Sequence, residues 1–432
     1  MRTIRDEPVR RASHVTARPS LTLNLRLNIN QPPDTILSYL NLRQMPLIVI
    51  YNPVSGDRTA AKLTTDTIVP LLATHNITPD KIAATEYVGH AGELVLSYID
   101  SLAPSTSSEP ITLVLVSGDG TLHEIVNALH SARSKREGSF PSLRITLVPG
   151  GTANALHSTF FPPSASSTTE PTAPTLLASL LSFLSATPRL IPLTFSQTTI
   201  SSSSPALSAL RNPHKFPLTA SSRSASSDVD VISAVVTSTA LHASILHDSE
   251  ALRTSVPGIE RFKLAAEQNA TTWYRGSLDL LPPVQQYDIN TDAFTDLVRE
   301  DEVGGLIGLA GPFAYFLSTV NVDRLEPLFR IAPLQRTLPP PPDAHTMDVL
   351  VIRPLLDISL EGKCDEEKRE KFKERVWSVL NAAYQDGAHI KAQYDSPDGK
   401  TKGLPVVEYF RVGGWQWIPV SLSYITPPPV RR

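Results

Sequence analysis

The stretch Ile111-Thr-Leu-Val-Leu-Val-Ser-Gly-Asp-Gly-Thr121 decides the fold class of this chain. Its first six residues are almost entirely apolar, as in a strand that is buried on both faces of a parallel sheet. A turn with two glycines and a carboxylate follows. The next apolar side chains recur with the spacing of one helix face: Leu122, Ile125, Val126 and Leu129. The stretch therefore predicts a strand, a tight turn and an amphipathic helix in succession.

The same pattern occurs on both sides of this stretch. Apolar runs at residues 47–51 and 144–148 also end in turns rich in glycine, serine and asparagine, at residues 52–56 and 149–154. A shorter strand is predicted near residues 82–85. Strands that alternate with helices predict an open, mostly parallel sheet with helices on both faces. Ligands of such sheets bind outside the carboxyl ends of the strands, where these turns lie.

The composition divides the chain into regions. Residues 1–45 have the character of an irregular leader, and residues 46–185 form the predicted α/β domain. Residues 186–432 contain short β-type runs separated by turns, which favours a largely antiparallel β-sandwich domain. Within it, residues at about 196–227 are rich in serine and alanine, as in a low-complexity insertion. One late helix is predicted at residues 366–384 from its apolar face.

The overall composition excludes several classes of protein. A net charge of −3 provides no field for nucleic acid, so no nucleic-acid partner is expected. The single cysteine, Cys364, excludes an intramolecular disulfide. No segment reaches the roughly 18 apolar residues of a membrane span. The arginine-rich leader also suggests a mitochondrial targeting peptide, but Asp6 and Glu7 argue against it, and we expect a cytoplasmic protein.

The glycine turn at residues 117–121 has the chemistry of a phosphate site. Glycines let backbone N–H groups approach a phosphate, and the following helix N-terminus favours an anion. A carboxylate would repel that phosphate unless Asp119 helps hold a magnesium ion or accepts a proton from an attacking hydroxyl. The alternative is a simple tight turn in which Asp119 bonds its own backbone. Two similar turns at the same sheet edge favour the nucleotide site.

Four blocks of the sequence, in the same order, resemble the diacylglycerol kinase catalytic-domain superfamily and, within it, the sphingosine (long-chain-base) kinases of fungi. The blocks are Asn52-Pro-Val-Ser-Gly56, Thr85-Glu-Tyr-Val-Gly-His-Ala-Gly-Glu-Leu94, Ser117-Gly-Asp-Gly-Thr-Leu-His-Glu-Ile-Val-Asn-Ala-Leu129 and Pro149-Gly-Gly-Thr-Ala-Asn-Ala-Leu156. Ser117 and His123 are similar to the sphingosine-kinase form of the third block. Weaker similarity continues to about residue 420.

The resemblance implies a lipid kinase that uses ATP and Mg²⁺ and phosphorylates the primary hydroxyl of a sphingoid base, with Asp119 as general base. It implies a substrate site of Ser117, Gly118, Asp119, Gly120 and Asp248. It implies a nucleotide site of Asn52, Pro53, Val54, Ser55, Gly56, Thr85, Gly118, Gly120, Thr121, Gly151, Thr152, Asn154, Arg253 and Arg261. It also implies transient, peripheral contact with intracellular membranes. It assigns neither the magnesium ligands nor the oligomeric state.

Several alternatives remain open at this point. Arg253 and Arg261 would neutralise phosphate charge, although most arginines are solvated surface residues. Phe313 and residues 315–317 would line an acyl-chain pocket or belong to an ordinary core. NAD kinases and phosphofructokinases share a Gly-Asp-Gly turn, but the block at residues 85–94 disfavours them.

The sequence departs from the family pattern in two places. The closing Asp-Gly-Glu motif of the family has no counterpart after Trp417, which makes a catalytically impaired lipid- or nucleotide-binding homologue an alternative. Leu246 aligns with the lipid-recognition aspartate of sphingosine kinases, and Asp248 lies nearby. Diacylglycerol and ceramide are therefore alternative acceptors.

Overall fold

The computed structural model describes residues 15–19, 45–102, 110–133, 141–163, 173–201, 228–256, 258–299, 305–396 and 403–419. The strands are β1 (Val15–Pro19), β2 (Leu47–Tyr51), β3 (Lys81–Ala84), β4 (Ile111–Ser117), β5 (Leu143–Pro149), β6 (Ser196–Ile200), β7 (Val229–Ser233), β8 (Val236–Thr239), β9 (Gly276–Asp288), β10 (Ala293–Val298), β11 (Ile307–Ala310), β12 (Tyr315–Thr319), β13 (Met347–Ile352) and β14 (Glu408–Pro419).

The α-helices are α1 (Ala60–Leu63), α2 (Val69–Thr74), α3 (His90–Ser101), α4 (Asp119–Arg133), α5 (Ala155–Phe160), α6 (Ala173–Leu176), α7 (Ala178–Leu184), α8 (Ala240–Ala251), α9 (Glu260–Asn269), α10 (Leu334–Thr337) and α11 (Asp365–Ala383). A π-helical turn, Thr64–Ile68, joins α1 to α2. No helix in the described part of the chain is long and apolar enough to cross a membrane.

The first sheet has four parallel strands in the order β3-β2-β4-β5. Side chains alternate along each strand, so one face buries Ile48 and Ile50 with α3 and α4. The other face buries Leu47 and Val49 with α1, α2 and α7. Helices thus cover both faces, which explains the near-continuous apolar runs and confirms the predicted α/β fold class.

The glycine of the Gly-His-Ala-Gly block at position 92 has a packing role. A Cβ atom added to Gly92 on α3 would lie 2.4 Å from the Cβ of Ala128 on α4. The two helices cross at this point with no room for a side chain, and a larger residue would push them apart.

The second sheet is antiparallel and has ten strands. The path β7-β6-β1-β14-β13-β12-β8 is extended by β9, which pairs with β14, β10 and β11. On one face of this sheet, the ring of Phe316 on β12 lies 4.9 Å from that of Trp415 on β14. The opposite face packs against α11 through Phe372 and Val376. The predicted antiparallel second domain is confirmed, built as one hydrogen-bonded sheet.

The structure differs from the sequence-based expectation in several elements. Residues 15–19 of the predicted irregular leader form β1, and the first residues of the predicted insertion form β6. Residues 189–195 form no strand, because the strand pairing begins at Ser196. The helices α8 and α9 were not predicted. The other residues of the leader, and residues 202–227, lie outside the described part of the chain.

The residues considered for an acyl-chain pocket belong to the core. Phe313 and Phe316 are fully buried beside the tryptophans of β14. Tyr315 and Leu317 are buried on the opposite face with α11. The alternation of β12 therefore assigns these side chains to two packed layers, in agreement with the interpretation as ordinary core.

Candidate active site

Three glycine turns meet at the carboxyl edge of the parallel sheet. A Cβ atom on Gly151 would lie 2.5 Å from the Cα of Gly118, and one on Gly56 would lie 2.5 Å from the carbonyl oxygen of Gly150. Gly56 also has a φ of +52°, which favours glycine. The backbones of the turns after β2, β4 and β5 are thus in direct contact. By contrast, a Cβ atom on Gly120 would have no neighbour within 4 Å.

Hydrogen bonds fix the first turn against the second. The backbone nitrogen of Asn52 donates to the carbonyl of Val116 at 3.1 Å, and its side-chain amide donates to the Thr121 hydroxyl at 3.3 Å. The Ser117 and Thr121 hydroxyls lie 2.6 Å apart, and both residues are buried. Ser117, predicted to contact substrate, therefore has its hydroxyl engaged inside the loop cluster.

The carboxylate of Asp119 caps the helix of the third turn. It accepts the backbone N–H of Ala155 at 2.6 Å and that of Leu156 at 3.2 Å. Burial raises the pKa of this carboxyl, while the amides of Ala155, Leu156 and Asp119 itself pull the pKa in the other direction. The carboxylate predicted to be catalytic therefore also joins the second turn to the third.

The third turn is closed by Asn154, which has a left-handed φ of +56°. Its side-chain oxygen accepts the Gly151 N–H at 2.9 Å, and its amide nitrogen donates to the Gly151 carbonyl at 2.8 Å. Asn154, predicted to bind nucleotide, thus shapes the loop through these contacts. The hydroxyl of Thr152, which follows Gly151 in the same turn, instead contacts Arg261 of the second domain.

The two predicted phosphate-binding arginines lie in different environments. Arg261 on α9 is 5% exposed, and its guanidinium lies 3.5 Å from the Thr152 hydroxyl and donates to the Gly258 carbonyl. Its Nε atom has no partner among the described residues. Burial and the nearby charge of Arg253 lower the pKa of Arg261. Arg253 itself is exposed and paired with Glu250 at 2.8 Å.

The remaining residues of the predicted nucleotide site border the same edge. Thr85 is buried after β3, and its N–H donates to the carbonyl of Tyr51 on β2. Val54 is 64% exposed beside the first turn. Tyr87 is also exposed, and its ring stacks on that of His90 with centroids 4.5 Å apart. The surface beside the first two turns and Thr85, which includes Val54 and Tyr87, is therefore exposed to solvent.

Asn127 is a positioning residue that the sequence reasoning missed. Its amide nitrogen donates to the Ile232 carbonyl at 2.8 Å, and its oxygen accepts the Ile232 N–H at 2.9 Å. This pair joins α4 to β7, and thus the loop-bearing domain to the second sheet. The only signal in the sequence is an amide on the polar side of a predicted amphipathic helix.

Asp248 does not join the glycine turns by any described contact. Its carboxylate accepts a hydrogen bond from Asn269 at 2.7 Å and lies 2.8 Å from the imidazole of His247. Leu246, which aligns with the family's recognition aspartate, is 43% exposed on the same helix. A lipid amine would therefore have to compete for a carboxylate that already has partners.

The donor set limits where a magnesium ion would be held. Across the described ranges, no group of three or more His, Cys, Asp or Glu side chains is arranged to bind a metal. Mg²⁺ commonly keeps several waters and is held by one or two carboxylates with substrate phosphates. Asp119 is the carboxylate within the glycine turns, so it fits the ion only as a single protein ligand beside a nucleotide.

The region that carries the three glycine turns is similar in sequence to known proteins. Residues 46–178 match the family model described as the diacylglycerol kinase catalytic domain. Sphingoid long chain base kinase 5 of Saccharomyces cerevisiae is 33% identical over 121 residues, which cover 28% of this chain and 16% of that protein. Sphingosine kinase 1 of Rattus norvegicus is 35% identical over 130 residues, which cover 29% of this chain and 30% of that protein. These matches span less than a third of each relative.

Among solved structures, a putative diacylglycerol kinase from Bacillus anthracis str. Sterne is 14% identical, with 85% of this chain and 84% of that chain covered and a TM-score of 0.42. Residues 46–178, which contain all three glycine turns, are thus similar to the diacylglycerol kinase catalytic domain.

Proposed function

We propose that the protein is a lipid kinase that transfers the γ-phosphoryl group of ATP to the primary hydroxyl of a sphingoid base. The observation that carries this proposal is the direct contact of three glycine turns at one sheet edge, with the buried guanidinium of Arg261 beside Thr152. Phosphoryl transfer depends mainly on positioning and on neutralising phosphate charge. Backbone amides of the turns would position the phosphates. Arg261, which has no carboxylate partner among the described residues, would neutralise their charge.

The phosphates would lie over the open side of the second turn. The position of Gly120 has free space where a Cβ atom would stand, and it lies in the first turn of α4. This helix has 15 residues, so its N-terminal partial charge favours an anion there. Arg261 would approach the same phosphates from the second domain through its contact with Thr152.

Asp119 would accept the proton of the lipid hydroxyl during transfer. Each carboxylate oxygen keeps a free lone pair after accepting one amide hydrogen. Burial raises the pKa of this carboxyl, which makes it a better base than an exposed aspartate. The amides of Ala155 and Leu156 hold it in one orientation. When bound, Mg²⁺ would neutralise phosphate charge next to this carboxylate.

The choice of a sphingoid base follows from Ser117, His123 and the sphingosine kinases to which the chain is similar. Diacylglycerol or ceramide is the second candidate, because neither acceptor carries an amine and Asp248 already has Asn269 and His247 as partners. Either acceptor resides in a bilayer. We therefore place the protein in the cytoplasm with transient contact to the surface of intracellular membranes.

A lipid panel tests the proposal. The full chain would be incubated with γ-³²P-labelled ATP, Mg²⁺ and micelles containing sphingosine, dihydrosphingosine, ceramide or diacylglycerol, and products separated by thin-layer chromatography. Labelled sphingoid base 1-phosphate is expected for wild type and none for Asp119→Asn. Labelling of only ceramide or diacylglycerol would move the assignment to the second candidate. ATP binding without turnover on any lipid would identify an impaired homologue and overturn the proposal.

A further inference from the structure

A second cleft lies in the antiparallel domain and includes none of the residues of the glycine turns. Its volume is about 460 Å³, and its lining comprises Thr239, Trp273, Tyr274, Arg275, Arg369, Trp417 and Pro419. These residues come from the end of β8, the segment just before β9, the end of β14 and the first half of α11. Three aromatic rings and two guanidinium groups therefore face one space.

The charged groups of the cleft are all positive. In the part of the chain that the structure describes, neither Arg275 nor Arg369 has a carboxylate within 4 Å, and no acidic residue lines the cleft. Arg369 lies over the Trp273 ring at 5.0 Å and donates to the Thr271 carbonyl. The guanidinium of Arg369 is thus held in place, and its other N–H groups can donate to a ligand. Uncompensated positive charge in a recess attracts an anion.

The indole of Trp273 adds a hydrogen-bond donor without a partner. Trp273 is 8% exposed, and its ring nitrogen has no acceptor among the described residues. Buried donors of this kind are rare and are usually satisfied by water or by a ligand. An anionic oxygen in the cleft would accept hydrogen bonds from the guanidinium groups of Arg275 and Arg369, since an anion offers only acceptors.

The aromatic residues that line the cleft indicate the chemistry of the rest of the ligand. Trp417 and Tyr274 line the cleft together with Trp273, so its surface combines aromatic walls with a positive rim. From this combination we infer that the cleft binds an amphiphilic anion: a phosphate or carboxylate headgroup at Arg275 and Arg369, with its apolar part against the aromatic rings. The inference is independent of the proposed kinase reaction.

Binding experiments on the full chain test this site. Isothermal titration would use dihexanoylphosphatidic acid as the amphiphilic anion, dihexanoylphosphatidylcholine as its zwitterionic match, and inorganic phosphate. We expect the first probe to bind best. The double variant Arg275→Gln/Arg369→Gln should weaken its binding by about tenfold or more, since each lost charge-assisted hydrogen bond is worth roughly that factor. The matched control, Lys363→Gln/Lys373→Gln, removes two positive charges outside the cleft and should bind as wild type.

Each other result counts against the inference. Equal binding of dihexanoylphosphatidic acid by wild type and the double variant, or no binding by wild type, would overturn it. Equal affinity for inorganic phosphate would remove the amphiphilic part and leave a free-anion site. If the double variant fails to fold, Arg275→Glu serves instead, because Arg275 is exposed and the charge reversal should still abolish binding. Binding that survives this reversal would also contradict the inference.

Discussion

The carboxylate of Asp119 lies 2.6 Å from the backbone nitrogen of Ala155, the first residue of α5. The acidic group of the second glycine turn is therefore the N-terminal cap of the helix that follows the third turn. Such caps typically contribute about 1 kcal/mol to stability. A substitution of Asp119 can therefore reduce activity in two ways, by removing the general base or by removing the helix cap. Different substitutions separate these two effects.

Asp119→Asn should abolish phosphoryl transfer while the protein remains folded. The amide oxygen still accepts one backbone N–H, but the amide nitrogen faces the other N–H, so the variant should lose about 1 kcal/mol of stability and stay folded. Loss of a general base typically costs about 10²–10⁴-fold in kcat. Asp119→Ala should lose activity and also about 1–2 kcal/mol of stability, because both capping bonds disappear. Turnover assays with urea unfolding of both variants provide the measurement. Wild-type kcat in Asp119→Asn would exclude the base.

Gly151→Ala should destabilise the protein, whereas Gly120→Ala should leave its stability unchanged. The new Cβ at residue 151 would lie 2.5 Å from the Cα of Gly118, so the turns must separate and the protein should lose about 1–3 kcal/mol. The Cβ at residue 120 has no neighbour within 4 Å, so folding should be unaffected. If phosphate occupies that space, Gly120→Ala should still weaken ATP binding. Unchanged ATP affinity in Gly120→Ala would place the phosphates elsewhere.

Arg261→Gln should raise the KM for ATP about tenfold to a hundredfold, as expected when a hydrogen bond from a charged group is lost. Arg253→Gln is the matched control, because its guanidinium is exposed and already paired with Glu250. We expect at most a threefold effect there, in line with the small worth of exposed ion pairs. Equal effects in both variants would mean that the two arginines share the phosphate role.

Stability should fall steeply between pH 6.5 and pH 4. Burial lowers the pKa of His157, His242 and His389 to about 4, from 6.5 in the unfolded chain. All three are neutral when folded and charged when unfolded near pH 5.5, so their stabilising contribution is complete above pH 6.5 and is lost as the pH falls to 4. With three protons taken up on unfolding, the slope approaches about 4 kcal/mol per pH unit.

Urea unfolding at several pH values measures this slope. His389→Gln should reduce it by about one third, since the new amide can still donate to the Ile331 carbonyl that His389 contacts at 2.9 Å. A stability that stays constant down to pH 5 would show that the buried histidines do not control it.

The sequence predicted the loop-bearing sheet well because its signals are local. Each buried strand, its glycine turn and its helix are contiguous, so period and turn chemistry suffice to place residues 117–121. The same local signals placed Asn52 and Gly151 at one edge. They did not reveal that Asp119 caps α5, because Asp119 and Ala155 are 36 positions apart and the sequence between them carries no signal of that contact.

The second sheet was harder to predict because its pairings are distant in sequence. Gly276 at the start of β9, for example, pairs with Pro419 at the end of β14. The helix α8 begins with a serine, alanine and leucine mixture whose amphipathic pattern is weak, so its existence depends on packing against α9 and β12. Tertiary context of this kind overrides local propensity.

The strand β1 lies in the interior of the second sheet, between β6 and β14. It comes from the beginning of the chain and pairs with residues 415–417, about 400 positions later. A nascent chain can pair residues 15–19 with β6 at an earlier stage, but the edge that faces β14 has to stay open until β14 has been made. Contacts of such high sequence separation form slowly. Removal of β1 would also detach the hairpin of β6 and β7 from the sheet and leave two open strand edges, which are sites for aggregation.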